Sequence, residues 1–446
     1  MSSKESDGLI LGRLMDRNSD TDPRYRVGGH VLTCAPTGTG KGIGCVIPNL
    51  LTYPGSVFCL DLKGENFAVT ARRRRELGPT FALDPFGLTG SPSCAVNWLD
   101  LIDLSSPESV SDAASLADTL VVRGNGTEGG SYWNDAAANL IQGLLLHIAS
   151  LADNERNPGT LRALLTLPER KLLGLLQELG EDSSTAFGVP ARTANMFLAK
   201  ADRDRSGVLS TAQQHTAFLD DPRIVETLKQ SYIDFKDMKA ETQTLFLVVP
   251  PDKLTAYSRY VRATIGLALK AMVREKTPPK NQVLFLLDEV AQLGRFSPIE
   301  DGISILRGYG VRLWLLVQDL SQLSSVYPKW RTFLANSVLQ VFGTQDQQTA
   351  KYISDALGRQ TIVYSVNGHS SSTSDSGGSS GSSTSYQHHG RELMTADEVR
   401  RLPANRVIVL EQGVSPQLLR RLDYRADNEF EGLFDRNPMY GEANRD

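Results

Sequence analysis

Short apolar runs, each ending in a polar residue or a turn, recur along the first hundred residues of the chain. The runs HVLTCAP, SVFCLDL and PTFALDPF occupy positions 30–36, 56–62 and 79–86. Strands that are apolar at nearly every position are typical of a parallel sheet covered on both faces. Between the second and third runs, positions 65–78 carry a helical pattern that ends at Gly78. This order predicts alternating strands and helices, as in an α/β fold.

From about position 103 to position 237 the pattern changes to a helical period. In YWNDAAANLIQGLLLHIASLA, apolar side chains recur about every 3.6 residues and share one face. They are Trp133, Ala137, Leu140, Ile141, Leu144 and Leu145. Strand patterns then return at positions 243–251, 282–290 and 311–320. We therefore predict an all-α domain over 103–237, inserted between the two parts, 1–102 and 238–446, of one sheet-containing domain.

The last part of the chain contains a low-complexity segment, NGHSSSTSDSGGSSGSSTSYQHHG, at positions 367–390. Serine and glycine at this density cannot build a core, so we predict a mobile Ser/Gly-rich loop there. The stretch NRVIVLEQGVSPQLLRRLDYR that follows at positions 405–425 predicts a final pair of strands. The sheet is thus expected to continue beyond the loop.

Composition narrows the classes of function. A formal net charge of −4 and a sequence pI of about 6.0 leave no global basic field, so any nucleic acid would need a local basic surface. The four cysteines, Cys34, Cys45, Cys59 and Cys94, form no CxxC pair, which favours reduced cysteines in a core. No apolar stretch approaches the ~20 residues of a membrane helix. Either the chain is soluble throughout or a membrane portion lies outside it.

A phosphate-binding loop is predicted where the first apolar run ends, in the sequence APTGTGKG. The pattern Gly-x4-Gly-Lys-Ser/Thr turns backbone N–H groups toward phosphates, and its lysine reaches the β- and γ-phosphates. Here Ala35 replaces the first glycine and Gly42 replaces the magnesium-binding hydroxyl, for which a water would substitute. The alternative is a glycine-rich turn without a ligand. The predicted nucleotide-binding residues are Thr37, Gly38, Thr39, Gly40, Lys41 and Gly42.

Two later strands end in residues that complete such a site. VLFLLDEV ends in Asp288, which would hold Mg²⁺ through its waters, and Glu289, which would activate the attacking water. VRLWLLVQDL ends near Gln318, which would sense the γ-phosphate. The competing interpretations are a helix cap for the acids and a turn cap for the glutamine. Together the three strand ends predict an α/β fold with a RecA-like P-loop domain, a mainly parallel sheet and ATP hydrolysis with Mg²⁺.

With these motifs in place, the chain resembles the type IV coupling proteins, the ATPases that hand DNA or protein substrates to type IV secretion and conjugation machines. The resemblance lies in APTGTGKGIGCVIPNLLTYPGSVFCLDLKGENFAVTA, SYWNDAAANLIQGLLLHI, RSGVLSTAQQHTAFLDDPRI, LFLLDEVAQLGRF, ILRGYGVRLWLLVQDLSQL and RELMTADEVRRLPANRVIVLEQGVSP. These segments cover most of positions 29–424 in the family's order. The Gly-Lys-Gly variant of the loop is familiar in one branch of that family.

The resemblance implies roles and partners. Lys41 and the Gly38–Gly40 backbone would bind phosphate, Asp288 would serve Mg²⁺, Glu289 would activate water, and Gln318 would sense the γ-phosphate. The helical insertion would correspond to the all-alpha domain that takes part in choosing substrates. Members act as homo-hexameric rings at the cytoplasmic face of the bacterial inner membrane, anchored by N-terminal helices. Partners would be DNA, relaxosome or effector proteins, and inner-membrane components of the secretion system.

Basic residues offer two further hypotheses. In a ring, an arginine of a neighbouring protomer often completes the ATP site, and Arg307, Arg312 and Arg331 lie near the Gln318 strand. Arg307 is preferred because it precedes GYG, a turn expected at the carboxyl edge of the sheet; a surface ion pair is the alternative. The run of four arginines at positions 72–75 is either a DNA contact or a solvated helix end.

Three functions remain open at this point. The first is an ATP-driven hexameric coupling protein that feeds DNA, protein or both into a type IV secretion channel. The second is a nucleotide-binding docking module that recruits substrate without pumping, motivated by Gly42 and by the lack of an anchor in this chain. The third is a soluble DNA translocase with the same core chemistry. The sequence also leaves open whether the isolated chain is a monomer, since ring assembly would lose the local concentration that a membrane provides.

Overall fold

The computed structural model describes residues 8–15, 23–122, 128–374 and 377–439. Its strands are β1 (Leu9–Arg13), β2 (Arg24–Val27), β3 (His30–Cys34), β4 (Val57–Asp61), β5 (Thr80–Leu83), β6 (Thr244–Val248), β7 (Val283–Leu287), β8 (Val311–Val317), β9 (Ser337–Val341), β10 (Arg359–Ser374), β11 (Gly377–Glu392), β12 (Arg406–Leu410) and β13 (Gln417–Arg420).

The α-helices are α1 (Ile47–Thr52), α2 (Glu65–Leu77), α3 (Glu108–Leu120), α4 (Glu128–Ala149), α5 (Pro158–Leu165), α6 (Glu169–Glu181), α7 (Val189–Leu198), α8 (Asp202–Thr216), α9 (Pro222–Glu226), α10 (Asp237–Ala240), α11 (Pro251–Leu254), α12 (Ser258–Arg274), α13 (Ser297–Glu300), α14 (Leu320–Val326), α15 (Trp330–Asn336), α16 (Gln347–Leu357) and α17 (Ala396–Arg400). Short 3₁₀ turns connect several of them.

One large mixed sheet organises the molecule. Its eleven strands lie in the order β2-β1-β13-β12-β9-β3-β8-β7-β4-β6-β5. The strands from β9 to β5 are mutually parallel, whereas β12, β13, β1 and β2 pair antiparallel at the other end. This confirms the α/β fold with a mainly parallel sheet. The sheet is also interrupted as expected, because β5 and β6 pair although helices α3–α10 separate them in the chain.

The apolar runs of the sequence form the predicted strands, including the final pair β12 and β13. The helix predicted over 65–78 is α2, whose C-cap is Gly78. Three strands of the large sheet were missed: β1, β2 and β9. β1 and β2 are short and pair with each other, and the strands that join β1 and β9 to the large sheet, β13 and β3, are distant in sequence.

Both faces of the parallel strands are buried, which explains why these strands are apolar at nearly every position. On one face Leu32, Phe58 and Leu315 join the core shared with α12 and the helical region. On the other face Val31 and Trp314 pack with residues of α1 and α2. A third, smaller cluster packs the outer side of α1 against the segment after β13. The sheet is therefore the middle layer of the molecule.

Helices α3–α10 form the region between β5 and β6. In α4 the predicted apolar face is buried at Ala137, Leu140, Ile141, Leu144 and Leu145, while Trp133 is only partly buried. Helix α3 packs on both α4 and α12, which joins the helical region to the sheet layer. The domain limits of 1–102, 103–237 and 238–446 stay a prediction.

The prediction of a mobile loop for the Ser/Gly-rich segment was wrong. Where the structure describes positions 367–390, they lie not in a loop but in β10 and β11, a separate two-stranded antiparallel sheet. Its pairing runs from Arg359–Glu392 to Ser374–Gly377. Strand pairing uses backbone hydrogen bonds and needs no apolar side chains, so a ladder that begins at its base continues through serines and glycines.

The cysteines and the hydropathy of the helices bear on two expectations drawn from composition. All four cysteines are buried free thiols, and burial raises the pKa of each of them, which confirms their assignment to the core. In the described part of the chain, no helix combines the length and the hydropathy that crossing a bilayer requires.

Candidate functional site

Three adjacent strands of the sheet, β3, β8 and β7, end at the same edge. The predicted phosphate loop follows β3, Gln318 follows β8, and Asp288 and Glu289 follow β7. Carboxyl ends of parallel strands are where ligands bind in open α/β sheets. The topology thus brings three motifs, which are far apart in sequence, to one place.

The loop after β3 has the backbone geometry that a phosphate-binding loop needs. Gly38 and Gly40 have φ of 80° and 82°, a region that side chains disfavour, so glycine is required at both positions. Thr39 closes the turn between them, because its N–H and its hydroxyl both donate to the carbonyl of Pro36. Ala35 is fully buried and keeps a negative φ. The substitution of the first glycine by alanine therefore causes no backbone strain.

The helix that follows the loop starts with an unusual turn. Gly42–Val46 forms a π-helical turn before α1 begins at Ile47. Such π-helical turns are rare overall, but those that occur often lie at functional sites. Thr37 and Gly38 are exposed, whereas Thr39, Gly40, Lys41 and Gly42 are half-buried. The loop is thus open to solvent on one side and packed on the other.

Lys41 lies between the two acids predicted to act with it. Its Nζ donates to Asp288 Oδ1 at 2.6 Å and to Glu289 Oε1 at 2.8 Å. Gln318 joins the same cluster, since its Nε2 donates to Glu289 Oε2 at 3.2 Å. The structure thus brings together Lys41, Asp288, Glu289 and Gln318 as a single connected group. Neither acid caps a helix through its side chain, and Gln318 contacts an acid of the site.

The backbone at Glu289 is strained. Its φ is 51°, one of only three positive values at non-glycine residues in the described part of the chain. A left-handed conformation costs a residue with a side chain roughly 1–2 kcal/mol, and such strain is concentrated at functional sites. The Glu289 N–H also donates to Asp288 Oδ1. This conformation aims both carboxylates at Lys41.

Electrostatics tie the cluster together. Burial by itself lowers the pKa of the Lys41 ammonium, but the charges of Asp288 and Glu289 outweigh it and hold that pKa above its ordinary value. Burial raises the pKa of Asp288, although Lys41 opposes this effect. At the end of the neighbouring β4, burial raises the pKa of Asp61 to about 6 against two backbone N–H donors. The site is therefore rich in carboxylates that a cation stabilises.

The donor set fits Mg²⁺. Carboxylate oxygens are the protein ligands that this ion prefers, usually with several waters retained. Asp288 and Glu289 already share one cation, Lys41, in the structure. A Cβ on Gly42 would lie no nearer than 3.9 Å to another heavy atom, Glu65 Oε1. Space for water thus exists where the usual hydroxyl is missing.

Arg307 does not join this cluster, and the reason for choosing it was wrong. Its turn, Leu306–Tyr309, precedes β8, so it lies at the amino edge of the sheet, near His30 at the start of β3. The seven residues of β8 span roughly 20 Å to the opposite edge, where Lys41 lies. Arg307 is exposed there. In its own protomer it therefore lies on the opposite side of the sheet from Lys41.

The other two candidate arginines have structural contacts. Arg312 is buried, donates to the carbonyl of Gly28 and lies over the ring of Tyr53. Arg331 is exposed and stacks on Trp330, at the start of the helix that precedes β9. Both lie toward the amino edge of the sheet. Among the three candidates, Arg307 alone is both exposed and free of a ring contact in the described structure.

The run of four arginines is not one basic surface. Arg74 is fully buried and donates to the carbonyls of Tyr53 and Gly55 and to the Thr244 hydroxyl. Burial lowers the pKa of Arg74 to about 10. Arg72 and Arg73 pair with nearby acids, and Arg75 lies over a phenylalanine ring. The arginines thus serve packing and ion pairs within this chain.

One contact at the loop was missed from the sequence. Arg421, directly after β13, donates from Nη1 to the carbonyl of Thr39 at 2.6 Å. Nothing in the local sequence LLRRLDYR distinguishes it from its neighbour Arg420. The only trace lies at the other end of the contact, where Gly40 and Gly44 leave room for the arginine. That room is visible only in three dimensions.

Comparison with known families covers almost the whole chain. Residues 1–438 match the profile of a family described as type IV secretory system conjugative DNA transfer. The chain is 31% identical over 433 residues to protein VirD4 of Rhizobium radiobacter, covering 91% of this chain and 58% of that protein. It is 28% identical over 422 residues to conjugal transfer protein TraG of Escherichia coli, covering 89% and 66%. The chain thus spans about three fifths to two thirds of the length of these relatives.

Solved structures show the same fold. The bacterial conjugative coupling protein TrwBdeltaN70, in its unbound monoclinic form, superposes with a TM-score of 0.67 at 18% identity, covering 88% of this chain and 84% of that one. The plasmid coupling protein TrwB in complex with ADP and Mg²⁺ superposes with a TM-score of 0.65, also at 18% identity, covering 88% and 84%. These matches confirm the predicted P-loop fold with a helical region.

Proposed function

Because the chain belongs to the type IV secretory system conjugative DNA transfer family, the type IV secretion coupling proteins, we propose that it is a P-loop ATPase that delivers DNA, protein substrates or both to a type IV secretion channel. The observation that carries the ATPase proposal is the cluster in which Lys41 contacts Asp288 and Glu289, and Gln318 contacts Glu289. The solved complex of TrwB with ADP and Mg²⁺ supports the choice of ligands.

Binding of ATP would rearrange this cluster. The β- and γ-phosphates would compete with Asp288 and Glu289 for the Lys41 ammonium. When Lys41 turns to the phosphates, the two carboxylates are released. Backbone N–H groups of the Gly38–Gly40 loop would cradle the phosphates, with Thr37 and Gly42 at the ends of the cradle. Asp288 would hold Mg²⁺ through its waters, and the ion would neutralise charge on the phosphates. The lysine–acid contacts thus keep the site ordered until nucleotide replaces them.

Hydrolysis then depends on residues released by that exchange. Once free of Lys41, the Glu289 carboxylate would orient and deprotonate the attacking water. Gln318, hydrogen-bonded to Glu289 before nucleotide binds, would report the loss of the γ-phosphate along β8. The left-handed backbone at Glu289 would direct its carboxylate into the site for this step.

We extend the proposal to assembly and location. The active form would be a homo-hexameric ring at the cytoplasmic face of the bacterial inner membrane, working with inner-membrane components of the secretion system. Arg307 is exposed at the sheet edge opposite its own site, so it would serve the ATP site of a neighbouring protomer. The helical region α3–α10 would recruit substrate.

The test is ATP hydrolysis measured over a protein concentration series, with and without DNA. We expect the rate per protomer to rise with concentration and with DNA, and to collapse in Lys41→Ala and Glu289→Gln. Arg401→Ala, which removes an exposed surface cation, is the control. Equal hydrolysis by the wild type and both site variants would refute the ATPase proposal.

Two results would redirect the proposal. Tight nucleotide binding with negligible hydrolysis, even with DNA, would favour a docking module that recruits substrate without pumping. Robust DNA-stimulated hydrolysis, together with no binding to the inner-membrane components of a secretion system, would favour a soluble DNA translocase.

A further inference from the structure

The carboxy-terminal strands place a cation on the phosphate loop. Arg421 follows β13, and its backbone N–H donates to the carbonyl of Asn405 at 2.8 Å, which fixes its position beside β12. Its side chain crosses to the loop after β3, where Nη1 donates to the carbonyl of Thr39. Residues separated by more than 380 positions thus meet at the loop that precedes Lys41.

Two glycines of the loop make this contact sterically possible. A Cβ on Gly40 would lie 2.6 Å from Arg421 Nη1, and a Cβ on Gly44 would lie 2.6 Å from its Cγ and Cδ. Both distances are far below a normal van der Waals contact. Gly40 also needs glycine for its φ, but Gly44 has no such need. Its lack of a side chain is therefore explained by the Arg421 side chain that lies across it.

The guanidinium lacks a carboxylate partner. Over the ranges that the structure describes, no acidic oxygen lies within 4.0 Å of it, although Arg421 helps to lower the pKa of the nearby Asp423. Lys41, the other cation at the loop, is paired with two acids. A half-buried arginine that donates only to a carbonyl keeps most of its donors available for an anion.

We propose that Arg421 is a phosphate-binding residue of the nucleotide site. Binding of a nucleoside diphosphate or triphosphate draws the guanidinium from the Thr39 carbonyl onto oxygens of the diphosphate that both ligands share. The side chain contacts the loop at Thr39, Gly40 and Gly44 rather than the acids proposed to face the γ-phosphate, so it acts on ADP and ATP alike. This inference rests on the proposed function, because it assumes that the loop binds nucleotide.

The proposal also links nucleotide to the carboxy-terminal segment. Leu422 and Tyr424, just after Arg421, belong to the apolar cluster with Ile43 and Ile47 of the loop helix. A guanidinium that moves onto phosphate would thus act on a segment that is packed against the helix after the loop.

The test is equilibrium binding of fluorescent ADP and fluorescent ATP to the full chain with Mg²⁺. For Arg421→Ala we expect the affinity for both nucleotides to fall roughly tenfold or more, as for loss of one charge-assisted hydrogen bond. Arg421→Lys should retain part of the affinity because it keeps the charge. Arg401→Ala is the matched control, because it removes an exposed arginine of the carboxy-terminal part of the chain that pairs with Asp397.

A second variant keeps the charge but moves it. In Gly44→Ala the new Cβ displaces the Arg421 side chain, so affinity should fall, and the double variant with Arg421→Ala should be no worse than Arg421→Ala alone. Circular dichroism of each variant without nucleotide checks its fold. Additive losses in the double variant would contradict the proposal, because they would mean that Gly44 and Arg421 act separately.

The outcomes separate the two levels of the argument. If Lys41→Ala loses binding while Arg421→Ala binds both nucleotides as the wild type does, the role of Arg421 is wrong and the nucleotide site stands. If the wild type itself binds neither nucleotide, the proposed function fails and the role of Arg421 fails with it. If Arg421→Ala loses affinity for ATP alone, the contact is to the γ-phosphate and the assignment to the shared diphosphate is wrong.

Discussion

At the scale of single residues, the site is held by charges that compensate one another. Lys41 has two carboxylate partners within 2.8 Å, and one of them, Glu289, has a left-handed backbone. Strain of this kind persists only where the surroundings over-determine it. The surroundings here are the ion pairs with Lys41 and the hydrogen bond from Gln318. A ligand that takes Lys41 away therefore changes the forces on the residue proposed to activate water.

The missing hydroxyl at position 42 leads to a prediction at this scale. In Gly42→Ser the new side chain meets nothing nearer than Glu65 Oε1, at 3.9 Å from its Cβ, so it fits without rearrangement. The added hydroxyl supplies the ligand to Mg²⁺ that the wild type replaces with water. We expect the Mg²⁺ concentration for half-maximal ATP binding to fall about fivefold, because one added polar ligand contributes about 1 kcal/mol of binding free energy.

The measurement is a Mg²⁺ titration of ATP affinity. Gly42→Ala is the comparison, because it adds the same Cβ without the oxygen. If the serine and alanine variants need the same Mg²⁺ concentration, the position has no part in binding the ion.

At the scale of elements, polar groups join strands and helices at their ends. Helix α2 carries four arginines in succession, yet only Arg74 points into the protein. It binds the carbonyls of Tyr53 and Gly55 after α1 and the hydroxyl of Thr244 on β6. A single side chain therefore connects a helix, a turn and a strand. The sequence gives no sign of this, because Arg74 stands among three other arginines.

Substitution within this run separates the two roles. Arg74→Ala leaves buried carbonyls without a donor and should lower the free energy of unfolding by roughly 3 kcal/mol. Arg72→Ala removes exposed ion pairs with Glu76 and Asp435 and should change stability little, because surface pairs contribute little. Urea denaturation of both variants makes the comparison. Equal losses would mean that Arg74 has no special structural role.

Strand pairing carries a pH dependence. His30 begins β3, and its Nδ1 accepts a hydrogen bond from the Leu313 N–H on β8. Burial, helped by the charges of Arg307 and Arg312, lowers the pKa of His30 to about 4. In the unfolded chain His30 therefore binds a proton near pH 6.5, whereas in the folded chain it binds one only near pH 4. Stability that is fully present above that pH is lost as the pH falls toward 4.

From pH 7 to pH 5, this one histidine should lower the free energy of unfolding by about 2 kcal/mol. In His30→Asn the amide oxygen replaces Nδ1 as acceptor and nothing titrates, so the loss between those pH values should shrink by that amount. Urea denaturation at pH 7, 6 and 5 measures it. His215, whose pKa burial also lowers to about 4, keeps a remaining acid sensitivity in the variant. An unchanged slope would show that His30 is not the titrating group.

At the scale of the whole molecule, the parallel sheet separates the two groups of residues proposed to act on ATP. The Lys41 cluster lies at the carboxyl ends of β3, β8 and β7, and Arg307 lies before β8 at the amino ends. The length of β8 separates the two within one protomer. In a ring of identical subunits, however, the amino edge of one protomer can face the carboxyl edge of the next.

This separation predicts complementation between two inactive variants. Arg307→Ala should lower ATP hydrolysis by roughly 10³–10⁵-fold, as for other arginine fingers, and Lys41→Ala should abolish it. In a one-to-one mixture, an intact Lys41 of one protomer meets an intact Arg307 of its neighbour, so hydrolysis should recover well above the sum of the separate rates. A mixture no more active than its parts would place the active site within a single protomer.

The linear order of apolar and polar residues determined most strands of the large sheet, the interruption of that sheet and the candidate site at three strand ends. This was possible because strand burial, loop glycines and strand-end acids are local consequences of residue type. Asp288, Glu289 and Gln318 were found because each ends an apolar strand. The family resemblance was also carried by such local motifs.

Other features were decided only by the tertiary structure, because they depend on which distant segments meet. The edge on which Arg307 lies follows from strand direction, and the burial of Arg74 follows from the packing of α2 on β6. The pairing of β10 with β11 uses backbone groups that every sequence has, so composition did not indicate it. Arg421 reaches the phosphate loop because β13 lies in the same sheet as β3, and only the fold brings those strands together.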